Sequence, residues 1–336
     1  MATRRQFLTG TAVVAGAAIT GFPAIISPAR AAEKITVFSP FGFTTEYSDL
    51  FNAYSGGHFA RQGLDAKVLS AMGVQSVQQL VAGQGQFIRN AGVDIIKGVA
   101  VQNLPLICIS TIGQGSTYHV VSLKDKPVNG IEDLKGKTVG ILTASGGASS
   151  TYIELLLTKA GLHKDDLNMV VTGNSPAELE YVKQGRIDCF VCTIDVVSRL
   201  QRAKAPIVYW STDKYVQVPG YVHVTRRDIV EKQPDLVQRY MRAIKASVAE
   251  IMTTPLATIF TREAKDFPMS GLKDMDEAVA LQKISIDRLW LAQGRKNLLR
   301  NVPGLWQSGV AAMKTIGYKN VRDPTYYYTN RFIDAA

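Results

Sequence analysis

The fold class is decided by residues 137–151, which read KTVGILTASGGASST. The first six of them, KTVGIL, form a short run rich in β-branched and aliphatic residues, which predicts a buried strand. A turn rich in glycine and serine follows, and a helix is predicted from about Ser149 to Ala160. A strand, a glycine-rich turn and a helix in this order are typical of a βαβ unit, so the stretch predicts an α/β fold.

The same alternation of strands and helices continues on both sides of this stretch. Further strands are predicted at residues 34–38, 65–69, 86–89, 104–109, 167–171 and 187–191. Helices are predicted between them, and the chain is mostly helical from Asp228 onward. The alternation restarts near Ile131, which predicts two α/β units, each built around a mainly parallel sheet.

The chain is predicted to cross between the two units twice, through strands at residues 118–121 and 221–224. We therefore expect a two-lobed α/β fold with two hinge crossings, in which each lobe is a mainly parallel sheet flanked by helices. Residues 32–119 and 222–336 form the first lobe with C-terminal helices, and residues 120–221 form the second. Ligands of open α/β sheets bind beyond the carboxyl ends of the strands, so the cleft between the lobes is the expected site.

Residues 1–31 have the features of an export signal. Arg4 and Arg5 precede an apolar run from Thr11 to Ile26, and small residues surround the exit at Ala31. Paired arginines in this position are typical of a twin-arginine signal peptide. A membrane anchor is the alternative, but glycines and a proline interrupt the run, which falls short of the roughly 20 apolar residues that a span requires. We expect cleavage near Ala31 and a periplasmic location.

The composition argues against several other classes of protein. The formal net charge of +10 comes from dispersed lysines and arginines, whereas a nucleic-acid-binding surface needs clustered ones, so no nucleic acid is expected as a partner. Three cysteines are too few for a disulfide framework, and Cys189 and Cys192 lie in a predicted buried strand as core residues. The four histidines show no metal-binding spacing, and neither a metal nor a cofactor is expected.

Five short motifs occur in a fixed order along the chain. They are HFARQGLD at 58–65, LVAGQ at 80–84, IEDLKGKTVG at 131–140, QGRID at 184–188 and YTNRF at 328–332. In this order they resemble the periplasmic binding proteins of ABC importers for sulfonates, nitrate and thiamine-precursor pyrimidines. The resemblance implies a type II-like periplasmic-binding-protein fold, a small-molecule ligand, a monomer, and the importer's membrane permease as partner.

Two segments depart from the pattern of that family. Residues 86–90 carry Gln86 and Ile88 where family members usually have Asp and Gly. The strand at Cys189 continues as Thr193-Ile194-Asp195 instead of an aromatic residue, Glu and Pro. The ligand therefore stays open among a sulfonate, nitrate, an aromatic acid and a thiamine-precursor pyrimidine.

Candidate ligand-binding residues follow the predicted strands at the ends that should face the cleft. In the first lobe they are Ser39, Phe41, Gly42, Arg89 and Asn90. In the second lobe they are Ser145, Gly146, Gly147, Ser149, Ser150, Thr172, Asn174, Thr193 and Asp195. Backbone N–H groups and hydroxyls at a helix N-terminus can donate to an anion or a carbonyl oxygen, and polar groups at strand ends can orient a ligand.

Several candidates also have a structural alternative. Arg89 either clamps an anionic ligand through its guanidinium or forms a structural ion pair. Phe41 either stacks on a flat ligand or is buried. Asp195 and the serines of the turn either contact the ligand or cap helices, and Asn174 either contacts the ligand or forms a turn. The residues alone leave these alternatives open.

The sequence favours a binding protein over an enzyme, because no pairing of a nucleophile with a base is evident. One alternative comes from the resemblance, since the same family resembles a fungal thiamine-pyrimidine synthase that uses pyridoxal phosphate and consumes its own histidine. Another is a ligand-sensing subunit of a membrane receptor. The export signal and the lack of an evident lysine–histidine site favour solute capture without catalysis.

Overall fold

Ten strands form two five-stranded sheets in the computed structural model, which describes residues 31–71, 73–143 and 147–336. The strands are β1 (Glu33–Ser39), β2 (Leu64–Ser70), β3 (Phe87–Ala91), β4 (Leu106–Thr111), β5 (Tyr118–Leu123), β6 (Thr138–Ile141), β7 (Asn168–Val171), β8 (Cys189–Thr193), β9 (Ile207–Ser211) and β10 (Tyr221–Arg226). The predicted signal peptide lies outside the described residues except for Ala31.

Helices connect and flank these strands. They are α1 (Ser48–Ser55), α2 (His58–Arg61), α3 (Gly73–Val81), α4 (Gly92–Gln102), α5 (Ala148–Lys159), α6 (Glu178–Lys183), α7 (Ile194–Arg202), α8 (Arg227–Lys232), α9 (Pro234–Ile251), α10 (Leu256–Asp266), α11 (Met275–Ser285), α12 (Pro303–Thr315) and α13 (Arg331–Asp334). In the described part of the chain, none of them combines the length and the hydrophobicity that a membrane span requires.

The two sheets share one plan. The first has the order β2-β1-β3-β10-β4, with β1 parallel to β2 and β3 and with β10 antiparallel to both of its neighbours. The second has the order β7-β6-β8-β5-β9, with β6 parallel to β7 and β8 and with β5 antiparallel to both of its neighbours. The prediction of two mainly parallel α/β sheets joined by two crossings is confirmed.

Each antiparallel strand is the first strand that the chain forms after it changes sheet. The chain leaves β4 through residues 112–117 to enter β5, and it returns from β9 through residues 212–220 to enter β10. The predicted crossing strands therefore lie wholly in the sheets to which they lead, and the connections before them make the crossings. Both strands begin beside the carboxyl ends of the parallel strands, and they therefore run in the opposite direction.

The two connections touch through glycines. The N–H of Gly220 donates to the carbonyl oxygen of Gly113 over 2.8 Å, and the N–H of Gly113 donates to the carbonyl oxygen of Tyr221 over 3.0 Å. A Cβ atom on Gly220 would lie 2.6 Å from the carbonyl oxygen of Gly115, closer than van der Waals contact allows. Glycine is therefore required here because two backbones approach closely.

Candidate functional site

A cleft of about 590 Å³ opens between the two sheets, at the carboxyl ends of their parallel strands. This volume lies within the range of ligand pockets, roughly 300–1,000 Å³. The loops after β1, β6 and β7, the start of α7, the first residues of β5 and β10, and one side of α11 contribute to it. Its lining includes Phe41, Thr44, Thr45, Glu46, Tyr47, Tyr118, Leu142, Thr143, Asn174, Ser175, Pro176, Thr193, Asp195, Val196, Arg199, Tyr221, Ser270, Gly271, Ala278, Leu281, Gln282 and Ser285.

Four of the residues suggested by the sequence line this cleft, and three of them form one hydrogen-bonded unit. The side-chain amide of Asn174 donates to Oγ1 of Thr193 over 2.9 Å, and the N–H of Thr193 donates to Oδ1 of Asn174 over 3.0 Å. The Thr193 hydroxyl in turn donates to Asp195. This unit holds the ends of β7 and β8 together. The fourth residue, Phe41, lies on the side of the first sheet and is 36% exposed.

Two further candidates shape the turn that carries Phe41. Ser39 is fully buried, and its hydroxyl donates to the carbonyl oxygen of Gly42 over 3.3 Å. The N–H of Gly42 donates to Oγ of Ser70 over 2.8 Å. The turn places Phe41 itself at a φ of +50°, in the left-handed region that costs a non-glycine residue energy. Neither Ser39 nor Gly42 is part of the cleft lining.

Arg89 lies behind the wall of the cleft rather than in it. It is fully buried, and its Nε donates to Oδ2 of Asp49 over 3.1 Å, while His223 Nε2 lies 3.0 Å from the same oxygen. Burial opposes ionisation of Asp49, but Arg89 and the adjacent His223 ring outweigh it and hold the pKa of this carboxyl below its ordinary value. The guanidinium carbon lies 4.6 Å from the ring centroids of both Tyr47 and Tyr221, so Arg89 positions two tyrosines that line the cleft.

Asn90, the neighbour of Arg89, is also buried behind the wall. Its side-chain amide donates to the carbonyl oxygen of Gly73 over 2.8 Å and to Oγ of Ser76 over 3.1 Å. Its own oxygen accepts from the N–H of Ala91 over 2.7 Å. These bonds fix the start of α3 against β3, and Asn90 does not line the cleft.

The glycine- and serine-rich turn is described only in part. Ser145 and Gly146 lie outside the described residues. Gly147 precedes α5 as its N-cap residue, and the hydroxyl of Ser150 donates to the Gly147 carbonyl oxygen over 2.9 Å. Ser149 is 1% exposed, and its hydroxyl has no hydrogen-bond partner among the described residues.

Thr172, after β7, resembles Ser149 in one respect. Its hydroxyl is buried without a partner in the described part of the chain. A Cβ atom on Gly140 would lie 2.7 Å from it, so the hydroxyl packs against β6. Gly147, Ser149, Ser150 and Thr172 are absent from the lining of the cleft as described, and their roles in binding stay predictions.

Glu46 lines the cleft and carries a carboxyl group with a shifted pKa, and no sequence pattern had singled it out. Burial and, to a smaller extent, the negative charge of Asp195 raise its pKa from 4.5 to about 7, although Arg89 and the hydroxyls of Tyr221 and Tyr47 act in the opposite direction. The available signal was an acidic residue eight positions after Phe38, where the predicted first strand ends. Turn chemistry explains such a residue equally well, so the signal was weak.

One side of α11 closes part of the cleft, which no local pattern had indicated. Gln282 is 1% exposed, and neither the oxygen nor the nitrogen of its side-chain amide has a hydrogen-bond partner among the described residues. A buried amide without partners costs stability, so its presence in the lining points to a group that is supplied from outside. Arg199 of α7 forms an ion pair with Glu277 of α11, which joins the two helices.

Comparison with known proteins places these features in context. The family model described as NMT1/THI5 like matches residues 44–258. Among curated relatives, the 4-amino-5-hydroxymethyl-2-methylpyrimidine phosphate synthase of Schizosaccharomyces pombe is 19% identical over 240 residues, covering 67% of each chain. The synthase THI12 of Saccharomyces cerevisiae is 21% identical over 239 residues, covering 67% of this chain and 68% of its own.

Solved structures of similar shape include several binding proteins. A protein from Bordetella bronchiseptica RB50 has a TM-score of 0.71 at 21% identity, covering 91% of this chain and 97% of its own. The alkanesulfonate-binding protein SsuA of Xanthomonas axonopodis pv. citri, bound to MOPS, has a TM-score of 0.62 at 14% identity, covering 88% and 96%. The periplasmic nitrate-binding protein NrtA of Synechocystis PCC 6803 has a TM-score of 0.61 at 13% identity, covering 90% and 88%. The predicted periplasmic-binding-protein fold is confirmed.

One expectation from the sequence is overturned by these comparisons. The chain was expected not to be an enzyme, but the curated relatives carry the name of a pyrimidine phosphate synthase. The lack of an evident nucleophile and base is therefore not sufficient to exclude an enzyme, because the similarity to these synthases extends over 67% of the chain.

Proposed function

Since the chain belongs to the NMT1/THI5-like family and has the fold of periplasmic binding proteins, we propose that it captures a small solute for an ABC-type importer. The observation that carries this proposal is the cleft of about 590 Å³, to which both sheets contribute. A ligand held there contacts both sheets at once. The names of the structural neighbours, which are binding proteins for small solutes, support the same function.

The two connections between the sheets suggest how the cleft works. The chain passes from one sheet to the other through two connecting segments, residues 112–117 and 212–220. Both segments contain glycine. We expect the lobes to close around the ligand by bending at these connections, as hinged proteins do. The closed, ligand-bound form then differs in shape from the empty form. The proposed partner, a membrane permease, can recognise that difference. This function also requires export of the chain, and we expect the signal peptide to be removed near Ala31.

A thermal-shift screen of the chain from Ala32 onward tests the proposal. The panel contains sulfonates, nitrate, aromatic acids, pyrimidines and amines, and a solute that binds only the folded protein raises the melting temperature as its concentration rises above Kd. We expect at least one chemical class to produce such a rise. A folded protein that responds to no solute in the panel contradicts solute capture.

The variant Gln282→Leu assigns a hit to the cleft. It removes the unpartnered amide from the lining, so the ligand-induced rise should shrink while the ligand-free protein stays folded. The control Gln184→Leu changes an exposed glutamine at the end of α6 and should leave the rise intact. Equal responses of the two variants place the bound solute elsewhere.

A second candidate is the synthase activity named for the fungal relatives, which the sequence similarity favours. The resemblance connects that activity with pyridoxal phosphate, whose aldehyde requires a lysine amine. Among the described residues, the cleft lining contains neither a lysine nor a histidine, so these residues do not fit that cofactor. Titration of the protein with pyridoxal phosphate tests this directly, because an adduct with a lysine amine shifts the absorption band of the free aldehyde to longer wavelength.

A further inference from the structure

The charges in the cleft differ from what an anionic solute requires. Glu46 comes from the turn before α1 on the side of the first sheet, and Asp195 comes from the first turn of α7 on the side of the second. Both residues line the same cleft, and the charge of Asp195 opposes ionisation of Glu46. A ligand between the sheets therefore meets one carboxyl group from each side.

No unpaired cation in the described lining balances these two groups. The one basic residue there is Arg199, which already forms an ion pair with Glu277. Arg89 lies behind the wall and is paired with Asp49. Since like charges repel strongly where water is partly excluded, a sulfonate or nitrate would enter an unfavourable field, whereas a cation would enter a favourable one.

The remaining lining suits a flat ring. Tyr47, Tyr118, Tyr221 and Phe41 all contribute to the cleft, and the rings of Tyr47 and Tyr221 meet edge to face with their centroids 5.7 Å apart. Aromatic side chains bind both flat rings and cationic groups through their faces. The buried amide of Gln282 offers a hydrogen-bond donor and an acceptor that no described residue uses.

We propose that the solute is a flat ring bearing a cationic nitrogen, which Glu46 and Asp195 bind from opposite sides while the tyrosines contact the ring. This inference rests on the proposed function and adds the chemical class of the solute. A cationic solute would distinguish this chain from the structural neighbours that are named for binding alkanesulfonate and nitrate, since both of those ligands are anions.

Four ring compounds that differ in one substituent test the proposal by calorimetry. Benzamidine is cationic, benzamide is neutral, and benzoate and benzenesulfonate are anionic. We expect benzamidine to bind about tenfold or more tightly than benzamide, and the two anions to bind more weakly than benzamide. Tighter binding of either anion than of benzamidine overturns the inference and leaves solute capture intact.

Variants then locate the charge recognition. Glu46→Gln and Asp195→Asn should each weaken benzamidine binding about tenfold or more, with a smaller change for benzamide, because each removes one carboxylate from the cation. Glu180→Gln changes a glutamate that is 58% exposed on α6, outside the cleft, and should leave both affinities unchanged. Unchanged benzamidine affinity in both cleft variants overturns the inference.

The pH dependence gives an independent measurement. Glu46 faces Asp195 of α7, Arg89 of β3, Tyr221 of β10 and the adjacent Tyr47, and the balance of these groups with burial leaves its pKa at about 7. Benzamidine stays cationic throughout the range, so its affinity should rise between pH 5 and pH 8 as Glu46 loses its proton, and Glu46→Gln should flatten the rise. A flat profile in the unmodified protein contradicts the role of Glu46. If none of the four rings binds but another solute does, the inference alone fails; if no solute binds at all, the proposed function fails with it.

Discussion

The carboxyl group of Glu46 should destabilise the folded protein at neutral pH, and Glu46→Gln measures by how much. Burial, reinforced by Asp195, raises its pKa from 4.5 to about 7, so the folded protein holds this proton more tightly than the unfolded chain does. The stability that depends on this proton is complete below pH 4.5 and is lost as the pH rises toward 7. A pKa difference of this size corresponds to about 3 kcal/mol at pH 8.

Urea denaturation at two pH values isolates this effect from every other titrating group. Glutamine resembles the protonated carboxyl, so the variant should exceed the unmodified protein in stability by less than about 1 kcal/mol at pH 5 and by about 3 kcal/mol at pH 8. The control Glu180→Gln, at an exposed position, should show no such change with pH. A gain that is equal at both pH values, or a variant that is less stable at pH 8, would refute the reasoning.

Three further predictions concern the frame around the cleft. Arg89→Met leaves the buried Asp49 without its guanidinium partner and should cost about 3–5 kcal/mol in urea denaturation, whereas a cost near zero would mean that the pair is dispensable. Gly220→Ala places a Cβ atom 2.6 Å from a backbone oxygen of the other crossing and should cost about 1–3 kcal/mol, while Gly304→Ala, with open space around it, should not destabilise. The three cysteines are buried and form no disulfide, and burial raises the pKa of each thiol. A thiol reagent should therefore label them only on unfolding, and a thiol that reacts quickly in the folded protein would contradict this.

Local patterns predicted most of the backbone because strands and helices depend mainly on neighbouring residues. The predicted strand at 34–38 is observed as Glu33–Ser39, and the predicted helix from Ser149 to Ala160 is observed as Ala148–Lys159. The strand Ile207–Ser211 was missed. It lies at the edge of the second sheet, where β5 is its one partner among the described strands, so its conformation depends on a distant segment.

The sequence by itself determined the α/β class and the two sheets, and it predicted a ligand site beyond the carboxyl ends of the strands. Only the tertiary structure decided which candidates face the cleft. It paired Arg89 with Asp49 behind the wall, and it brought Glu46 and Asp195 together from opposite sheets, with Gln282 added from a C-terminal helix. The physical reason is that periodicity reports how a segment folds on its own neighbours, whereas the charge and shape of the cleft arise where separate segments meet.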